Sequence, residues 1–390
     1  MLPPSRNDSE LAGALRIRRY TRVMRVRALR QINLRNLVTE RLVFEDGVTA
    51  VVGPNAAGKS NLLAAIALGA GGSLASGTIL ASLRFGADEG YVRLDLETGD
   101  GPRAVEIALA PGRKTIRLDG QVVRVAELAR VGGVVRVGPE DAELVHGPPA
   151  RRRSFLDDLL GRSSLRYALL VRAYHRVVEQ RNALLKTPAA ASSLPVWDDR
   201  FVELGREVEG LRARALSTLA PRAAAAYESI AGAPAAFAVT LARSHGEGDL
   251  ADALEASRAE ERGRGVTVVG PHRDDLLLAL DGRAVQAYGS RGEARTAALA
   301  LRVAEFEVLE ARHGAPPLLL LDDVHAELDA RRRTFLAGLA ARTPQAIVTG
   351  TEPPARYDRI WFVDEGRITT ERRAPEISAD GAPEGLPDGA

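Results

Sequence analysis

The spacing of hydrophobic residues separates strand-rich from helix-rich parts of the chain. From residue 24 to residue 118, alternating or continuous apolar runs predict strands, among them a buried parallel strand at Val48–Val52 and an antiparallel layer over 93–118. Helical spacing then dominates three stretches: 151–186, 199–230 and 250–262.

The second half of the chain returns to alternating strands and helices. Helices are predicted at 292–313 and 329–341. Five apolar runs predict strands: Val266–Val269, Leu276–Leu280, Leu318–Leu321, Ala346–Val348 and Ile360–Val363. The order predicts an α/β fold of mixed sheets with helices, into which a helical lobe is inserted.

This pattern divides the chain into two lobes with irregular ends. We predict one lobe from residues 24–138 and 264–370, and the helical lobe from residues 139–263. Residues 1–23 read as a leader, and residues 371–390, rich in Pro, Gly, Ala and acids, predict a disordered tail.

Composition narrows the chemistry that the chain can perform. The chain has 390 residues with a formal net charge of +2 and no cysteine, which excludes disulfides, thiolate metal sites and cysteine nucleophiles. No export signal is visible, so a cytoplasmic location is expected. The charge-free span from Ser60 to Leu83 is long enough for a membrane, but its many glycines and serines predict a helix and loop instead, and no membrane partner is expected.

One motif predicts a nucleotide-binding loop. Gly53-Pro-Asn-Ala-Ala-Gly-Lys-Ser60 matches G-x-x-x-x-G-K-[ST] and lies between an apolar strand and a helix that begins near Asn61. Backbone N–H groups of such a loop converge on phosphates at the positive end of the helix. We therefore predict ATP and Mg²⁺ as cofactors, with Lys59 on the phosphates and Ser60 on the metal. The predicted binding residues are Gly53, Asn55, Ala56, Ala57, Gly58, Lys59, Ser60 and Asn61.

An acidic pair far downstream completes the predicted reaction centre. The run Leu318–Leu321 ends in Asp322 and Asp323. A buried strand would bring Asp322 to the metal beside Ser60, and Asp323 would polarise the attacking water as general base.

A third motif opens the helix predicted at 292–313. Ser290 occupies an N-cap position and Glu293 follows three residues later, which is the pattern of a capping box. The alternative is a second phosphate sensor, in which Ser290, Arg291 and Gly292 present a helix N-terminus to a γ-phosphate. This pattern resembles the signature motif of ABC-type ATPases, which binds the nucleotide held by the opposite subunit.

Taken in order, the motifs resemble those of RecF proteins, bacterial recombination-repair ATPases related to SMC-type heads. The resemblance runs from about Met24 to Glu365. It rests on the three motifs above and on Ile32–Asn36, Pro139–Asp141, Arg151–Asp157, Tyr174–Lys186, Gly270–Asp275, Glu327–Asp329 and Thr349–Thr351.

The resemblance implies an ABC-type ATPase head and adds roles for further residues. Arg35 would approach the phosphates, and Pro139–Asp141 would hinge the helical lobe to the ATP site. Glu327–Asp329 would form a loop that reaches across the dimer interface. Thr349 or Thr351 would lie near the γ-phosphate. At the position where the family usually carries glutamine, this chain has Glu293, which would add a negative charge near the phosphate.

The function implied by this resemblance is an ATP-driven DNA clamp in recombinational repair. ATP would join two copies of the chain on double-stranded or gapped DNA, with Lys59, Ser290, Asp322 and Asp323 as the catalytic set. Slow, DNA-dependent hydrolysis would release the DNA. The implied partners are RecO and RecR, which would help to load RecA.

Three other functions fit parts of the sequence. A transporter nucleotide-binding subunit needs far fewer than the 230 residues between Ser60 and Ser290 and usually carries a switch histidine after the strand at 346–348. An SMC-like DNA-bridging protein needs a longer coiled coil than 164–186 provides. A P-loop kinase leaves the Ser290 motif unexplained.

Basic residues cluster in two segments that favour DNA binding. Residues 1–41 carry ten arginines against three acids, and residues 151–186 carry nine basic against three acidic side chains. Because the net charge is near zero, any surface that tracks the DNA backbone must be local. We predict that Arg151–Arg153 contribute to it, the alternative being an ordinary solvated helix face.

Overall fold

A computed structural model of the chain describes residues 23–71, 83–187, 193–323 and 328–371. Residues 1–22 of the predicted leader, residues 372–390 of the predicted tail, Glu327 and residues 72–82 of the charge-free span lie outside the described residues. The strands are β1 Arg25–Ile32, β2 Arg41–Val43, β3 Gly47–Val52, β4 Gly90–Thr98, β5 Gly101–Ala110, β6 Arg113–Leu118, β7 Gln121–Val122, β8 Val134–Val137, β9 Phe237–Ala242, β10 Asp275–Leu280, β11 Arg283–Ala284, β12 Leu318–Leu321, β13 Gln345–Gly350, β14 Arg359–Asp364 and β15 Arg367–Glu371.

Helices carry most of the middle of the chain. They are α1 Lys59–Gly69, α2 Glu143–His146, α3 Pro149–Ser163, α4 Leu165–Leu185, α5 Leu194–Ala231, α6 Leu250–Ala256, α7 Arg258–Arg264, α8 Val285–Tyr288, α9 Arg291–His313 and α10 Ala330–Ala341. Two 3-10 turns, Val125–Arg130 and Pro139–Ala142, flank β8.

A mixed sheet forms the centre of the α/β lobe. Its strand order is β15-β14-β3-β13-β12-β8, and all neighbours are parallel except the pair β14–β15. All four residues of β12 are buried, Leu318 and Leu320 on one face of the sheet and Leu319 and Leu321 on the other. The continuous apolar runs thus mark strands covered on both faces, as predicted.

A second sheet covers one side of α1. This antiparallel sheet has the order β2-β1-β4-β5-β6-β7, and it includes the layer predicted over 93–118. Inward residues such as Val92 and Leu94 share a core with Leu62 and Ile66 of α1 and with the parallel sheet. Helix α1 is therefore held between two sheets, which fixes the position of the loop that precedes it.

The helical lobe packs on the opposite face of the parallel sheet. Helices α3, α5 and α9 share a core with β8 and β12. Helices α4 and α5 lie antiparallel, since Arg166 pairs with Glu207 and Arg181 with Asp198. The division of the chain at residue 263 remains a prediction, and a sheet of order β11-β10-β9 joins strands from both sides of that residue.

The structure corrects one predicted strand. Val266–Val269 forms no strand, because the backbone of Thr267 bonds to side chains instead: its N–H donates to Asn182 and its carbonyl accepts from Arg273. The strand of this region is β9, which lies in the segment interpreted as helical. Among the described residues, none of the helices combines the length and apolarity that a membrane span requires.

Candidate nucleotide-binding site

The phosphate-binding loop connects β3 to α1 with the geometry that its glycines allow. Ala56 has φ +63° and Gly58 has φ +115°, so the chain passes twice through the left-handed region. Lys59 is buried, and its Nζ donates to the carbonyls of Gly53 at 2.7 Å and Pro54 at 2.9 Å. The ammonium group thus folds over its own loop, where the phosphates of a nucleotide would lie.

Asp322 lies at the carboxyl end of β12 and is held from three neighbouring elements. Its Oδ1 accepts from Ser60 Oγ and from Thr349 Oγ1, both at 2.8 Å. Its Oδ2 pairs with Arg136 of β8 at 2.5 Å. The carboxylate is 2% exposed, so these partners are needed to keep a charge in this position.

Asp323 differs from its neighbour in having spare bonding capacity. Its φ is +48°, which is uncommon for a residue with a side chain, and its N–H donates to Thr349 Oγ1 at 3.0 Å. Its Oδ1 is buried and has no hydrogen-bond partner among the described residues. A cavity of about 50 Å³ lies beside it, bounded by Gly138, Pro139 and the first turns of α9. A strained backbone and an unused buried oxygen are typical of functional residues, and the role of Asp323 as general base remains a prediction.

A polar cluster lines the outer side of the loop. Asn61 accepts from Arg35 at 2.8 Å and donates to Asn36 at 2.6 Å, while Asn36 donates to the carbonyl of Ala56 at 2.9 Å. Arg35 is exposed and has φ +44°. The resemblance implied a role for Arg35. The structure shows that Asn61 and Asn36 connect it by hydrogen bonds to the loop carbonyl of Ala56.

The predicted hinge at Pro139–Asp141 connects the site to α9. Arg136 pairs with Glu140 at 3.0 Å as well as with Asp322. One residue on, Asp141 pairs with Arg302 of α9 at 2.6 Å. Burial raises the pKa of Asp141 despite the opposing effect of Arg302. Ion pairs on the consecutive residues Glu140 and Asp141 thus connect Asp322 to the middle of α9.

These ion pairs continue into the helical lobe. Glu305 contacts both Arg302 and Arg162 of α3. Burial of Glu305 would raise its pKa, but the two guanidinium groups outweigh it and the net pKa is lowered. The carboxylate therefore remains charged where α3 and α9 meet the parallel sheet.

Ser290 caps α9 as the capping-box pattern predicts. Its Oγ accepts from the N–H of Glu293 at 3.2 Å, and its own N–H donates to the Glu293 carboxylate at 2.7 Å. Within the described part of the chain, the side chain of Ser290 bonds only inside this box, while Lys59, Ser60, Asp322 and Asp323 gather at the sheet edge. Ser290 and Arg291 are exposed and Gly292 is half-buried, so the helix start is open to solvent.

The oxygen atoms at the sheet edge suit Mg²⁺. Ser60 Oγ and Asp322 Oδ1 lie 2.8 Å apart, and both are hard ligands of the kind that this ion prefers. Asp323, the next residue along the chain, has a buried Oδ1 without a hydrogen-bond partner among the described residues. The metal and catalytic roles of Ser60, Asp322 and Asp323 remain predictions. The positions of the Ser60 and Asp322 oxygen atoms fit a magnesium–nucleotide complex.

Comparisons with known proteins agree with this geometry. Residues 25–355 match the family model described as RecF/RecN/SMC N terminal domain. A DNA replication and repair protein RecF from Deinococcus radiodurans is 46% identical over 84% of this chain and 91% of its own length. The Deinococcus deserti protein of the same name is 44% identical over 89% of this chain and 96% of its own length.

The chain belongs to the RecF family. Solved structures support the assignment: one described as the recombination mediator protein RecF with ATP in the RecFOR pathway superimposes with a TM-score of 0.84 at 28% identity, covering 90% of this chain and 98% of that one. An Smc head domain from Pyrococcus furiosus matches with a TM-score of 0.53 at 17% identity over 90% of this chain and 97% of its own, which shows a shared fold. The ABC/SMC-head type of fold is thereby confirmed, and a transporter subunit is not favoured.

The basic helices of the lobe are not the free surface that their sequence suggests. Arg152 is 4% exposed, and its guanidinium group forms two bonds to Asp275 at 2.7 and 2.9 Å. Arg153 donates to the carbonyl of Asp274, and Arg162 and Arg181 are buried in ion pairs. The prediction that Arg151–Arg153 form a DNA surface is therefore wrong for Arg152, whose charge is used inside the fold.

Proposed function

We propose that this protein is an ATP-dependent DNA-repair protein whose two copies share their reaction centres. Each copy would hold ATP at its own loop, and Ser290 of the second copy would complete the site. The observation that carries this proposal is the open start of α9. Its serine is exposed and its side chain bonds only to Glu293 among the described residues, while the remaining groups lie together at the sheet edge.

The residues at the sheet edge divide the chemistry between them. Lys59 would exchange its bonds to Gly53 and Pro54 for bonds to the β- and γ-phosphates. Ser60 and Asp322 would hold Mg²⁺, which supplies positive charge to the phosphate oxygens during transfer. Asp323, with an unpartnered buried oxygen, would accept the proton of the attacking water.

Dimer formation and hydrolysis are then linked through α9. The Ser290 hydroxyl accepts the Glu293 N–H and also bonds to the Glu293 carboxylate, so it would exchange that carboxylate for a γ-phosphate oxygen as its acceptor. ATP would join the two copies through this contact, and loss of the γ-phosphate would release them. Two sets of ion pairs, Asp322–Arg136–Glu140 and Asp141–Arg302, are joined by the peptide bond between Glu140 and Asp141 and connect α9 to the sheet edge.

The biological task is proposed from the named relatives. RecF proteins of DNA replication and repair share up to 46% of aligned residues with this chain, and the ATP-bound RecF structure belongs to the RecFOR pathway. We infer a cytoplasmic protein that binds double-stranded or gapped DNA and acts with RecO and RecR in loading RecA. Slow, DNA-stimulated hydrolysis would time its release.

Sedimentation with ATP, with ADP and without nucleotide tests the shared site. The wild type should form dimers with ATP alone, and Lys59→Arg should remain monomeric. Ser290→Arg should bind ATP as a monomer with near-normal affinity but neither dimerise nor turn over ATP.

A matched control separates the shared site from the loss of a helix cap. Ser164 caps α4 as Ser290 caps α9, since its Oγ accepts from the Tyr167 N–H. Ser290→Ala should weaken the dimer, whereas Ser164→Ala should leave it intact. Full dimer formation by Ser290→Arg, or undiminished specific activity of strictly monomeric protein, would refute the composite site.

A further inference from the structure

One face of the antiparallel sheet presents a row of arginines to solvent. Strand pairing places Arg41 opposite Arg30, Arg30 opposite Arg93, Arg93 opposite Glu106, and Glu106 opposite Arg117. Residues directly opposite each other in a sheet share a face, so these five side chains form one row across β2, β1, β4, β5 and β6. We call it the arginine row.

The charges of the arginine row are unevenly balanced. Arg93 lies against two carboxylates, 2.9 Å from Asp95 and 2.8 Å from Glu106. Arg30, Arg41 and Arg117 are exposed, and no hydrogen bond or ion pair joins their side chains to any other described residue. The unpaired arginines therefore flank Arg93, whose charge is neutralised: Arg41 and Arg30 lie on one side of it and Arg117 lies on the other.

Folding alone does not favour this arrangement. Like charges placed directly opposite each other destabilise a sheet, yet Arg30 faces an arginine on each neighbouring strand. The inward residues of the same strands, such as Leu29 and Leu94, already supply the core. The arginines contribute no burial that would compensate for their repulsion, so a ligand of opposite charge is the physical reason to keep them.

We propose that the arginine row binds the phosphate backbone of double-stranded DNA. Neighbouring strands are about 4.8 Å apart, which puts Arg41 and Arg117 about 19 Å apart at their backbones. Long, flexible guanidinium groups at that separation can reach phosphates on both sides of a major groove about 12 Å wide. Backbone contacts of this kind need no sequence readout, as suits a chain with 4% aromatic residues.

An acidic protein partner fits this face less well. Protein interfaces are centred on buried apolar or aromatic anchors. The exposed apolar residues here are separated: Val43 lies opposite Ala28 on one side of the row, Ile32 opposite Tyr91 on the other, and Val122 opposite Arg117 at its end. No continuous apolar centre forms, which favours the phosphate backbone as the occupant.

The salt dependence of duplex binding tests the arginine row. The inference rests on the proposed function, so the wild type must first bind a 30-base-pair duplex with ATP present. The slope of log K against log salt is negative, and each lost phosphate contact should reduce its magnitude by about 0.9. Arg30→Gln/Arg41→Gln/Arg117→Gln should therefore reduce the magnitude by about 2.7 for each copy that contacts the duplex. ATP-driven dimerisation should be unchanged, since none of the three residues belongs to the nucleotide site.

The control is a pair of exposed arginines, Arg200 on α5 and Arg264 at the end of α7. Arg200→Gln/Arg264→Gln removes side chains that pair with Glu203 and Glu260 and should leave the slope unchanged. The triple variant should melt at the wild-type temperature or above it at low salt, because it loses only repulsion within the sheet. A wild-type slope in the triple variant would show that this face does not hold DNA and would leave an acidic protein as its occupant. A wild type that binds no duplex in any nucleotide state would instead overturn the proposed function.

A cross-linking experiment provides a second, independent readout. Because the chain has no cysteine, Arg30→Cys can carry a photoreactive group at a single position. Irradiation should link this position to duplex DNA in the presence of ATP, and Arg264→Cys should give no such link. Absence of DNA cross-links from Arg30→Cys, while the labelled protein still binds DNA, would refute the assignment.

Discussion

Two buried clusters of charge in this molecule use their hydrogen-bonding capacity in opposite ways. In the helical lobe, Arg181 is 1% exposed and contacts Asp198, Glu261 and Thr267 through all three of its nitrogens. At the nucleotide edge, Asp323 keeps a buried oxygen without a partner among the described residues. Arg136 likewise keeps its Nε unpaired there.

The difference separates charges that hold the fold from charges that await a ligand. A guanidinium group has five N–H bonds, and the contacts of Arg181 are enough to engage them all. An unsatisfied buried polar group costs about 1–3 kcal/mol, so a stable fold keeps one only where another demand requires it. In the lobe cluster, Asp198 Oδ2 also lacks a hydrogen bond, but it lies 3.1 Å from Arg258 Nη1, whereas no ion pair joins Asp323 to another described residue. We therefore expect the lobe cluster to hold the fold and the sheet edge to bind phosphate, metal and water.

Replacing Asp323 should produce the largest effect on turnover with a small effect on folding. Asp323→Asn removes the proposed general base, and loss of such a group typically lowers the rate about 100- to 10,000-fold. Stability should change little, because the lost oxygen has no partner among the described residues. Single-turnover phosphate release and urea unfolding measure the two effects.

The ATP affinity of the same variant distinguishes chemistry from binding. It should stay close to the wild-type value, and the ATP-bound dimer should persist. Normal phosphate release from Asp323→Asn would remove Asp323 from the reaction. A large loss of stability would place it with the structural charges instead.

Replacing Arg181 should have the reverse result. Arg181→Met leaves the buried carboxylates of Asp198 and Glu261 without their main partner, which should cost about 3–5 kcal/mol of unfolding free energy. The ATP affinity of the protein that remains folded should be unchanged. Urea unfolding and nucleotide titration measure the two quantities.

Arg166 offers a control on the same pair of helices. It pairs with Glu207 at an exposed position, so Arg166→Met should cost less than about 1 kcal/mol. Equal losses for the two variants would show that burial does not distinguish the two pairs.

Arg136 should have an intermediate effect. Asp322 keeps its bonds to Ser60 and Thr349 in Arg136→Met, so the stability loss should be about 1–3 kcal/mol, smaller than for Arg181. Removing a positive charge beside Asp322 should also tighten Mn²⁺ binding severalfold in the presence of ADP. Titration of free Mn²⁺ by electron paramagnetic resonance checks this, and unchanged or weaker binding would show that Arg136 only orients the carboxylate.

Local patterns in the sequence predicted the parts of the site that lie on single elements. The loop at 53–60, the strand that ends at Asp322 and the cap at Ser290 each follow from neighbouring residues, and the structure places each on the expected element. The family resemblance also pointed to Thr349. Its bond to Asp322 needed the structure, because parallel strands separated in sequence meet only after folding.

Ion pairs between residues far apart in sequence, and side chains that take the place of strand partners for the backbone, could not be predicted from local patterns. Arg136 and Asp322 are 186 positions apart, and Asp141 and Arg302 are 161 apart, so no periodicity connects them. The arginines of α3 looked like a solvated face because their acidic partners, such as Asp275, lie far along the chain. The apolar run at 266–269 looked like a strand, yet side chains satisfy the backbone of Thr267.

The smallest expected effect concerns the capping box of α9. Its charged residue, Glu293, is neither deeply buried nor without a hydrogen-bond partner, so it differs from both clusters compared above. The hydrogen bond from the Ser290 N–H lowers the pKa of Glu293 below its usual range. A carboxylate with a lowered pKa stabilises the fold above its unfolded pKa of about 4.3, and this contribution disappears as the pH falls through the folded pKa.

Glu293→Gln keeps the side-chain oxygen but loses the charge at the helix start, so it should cost about 0.5 kcal/mol at pH 7. The difference between the two proteins should shrink towards zero below pH about 4. Urea unfolding at a series of pH values measures it, with Glu247→Gln as an exposed control outside any capping box. A constant difference at all pH values would mean that hydrogen bonding alone, and not charge, sets the contribution of Glu293.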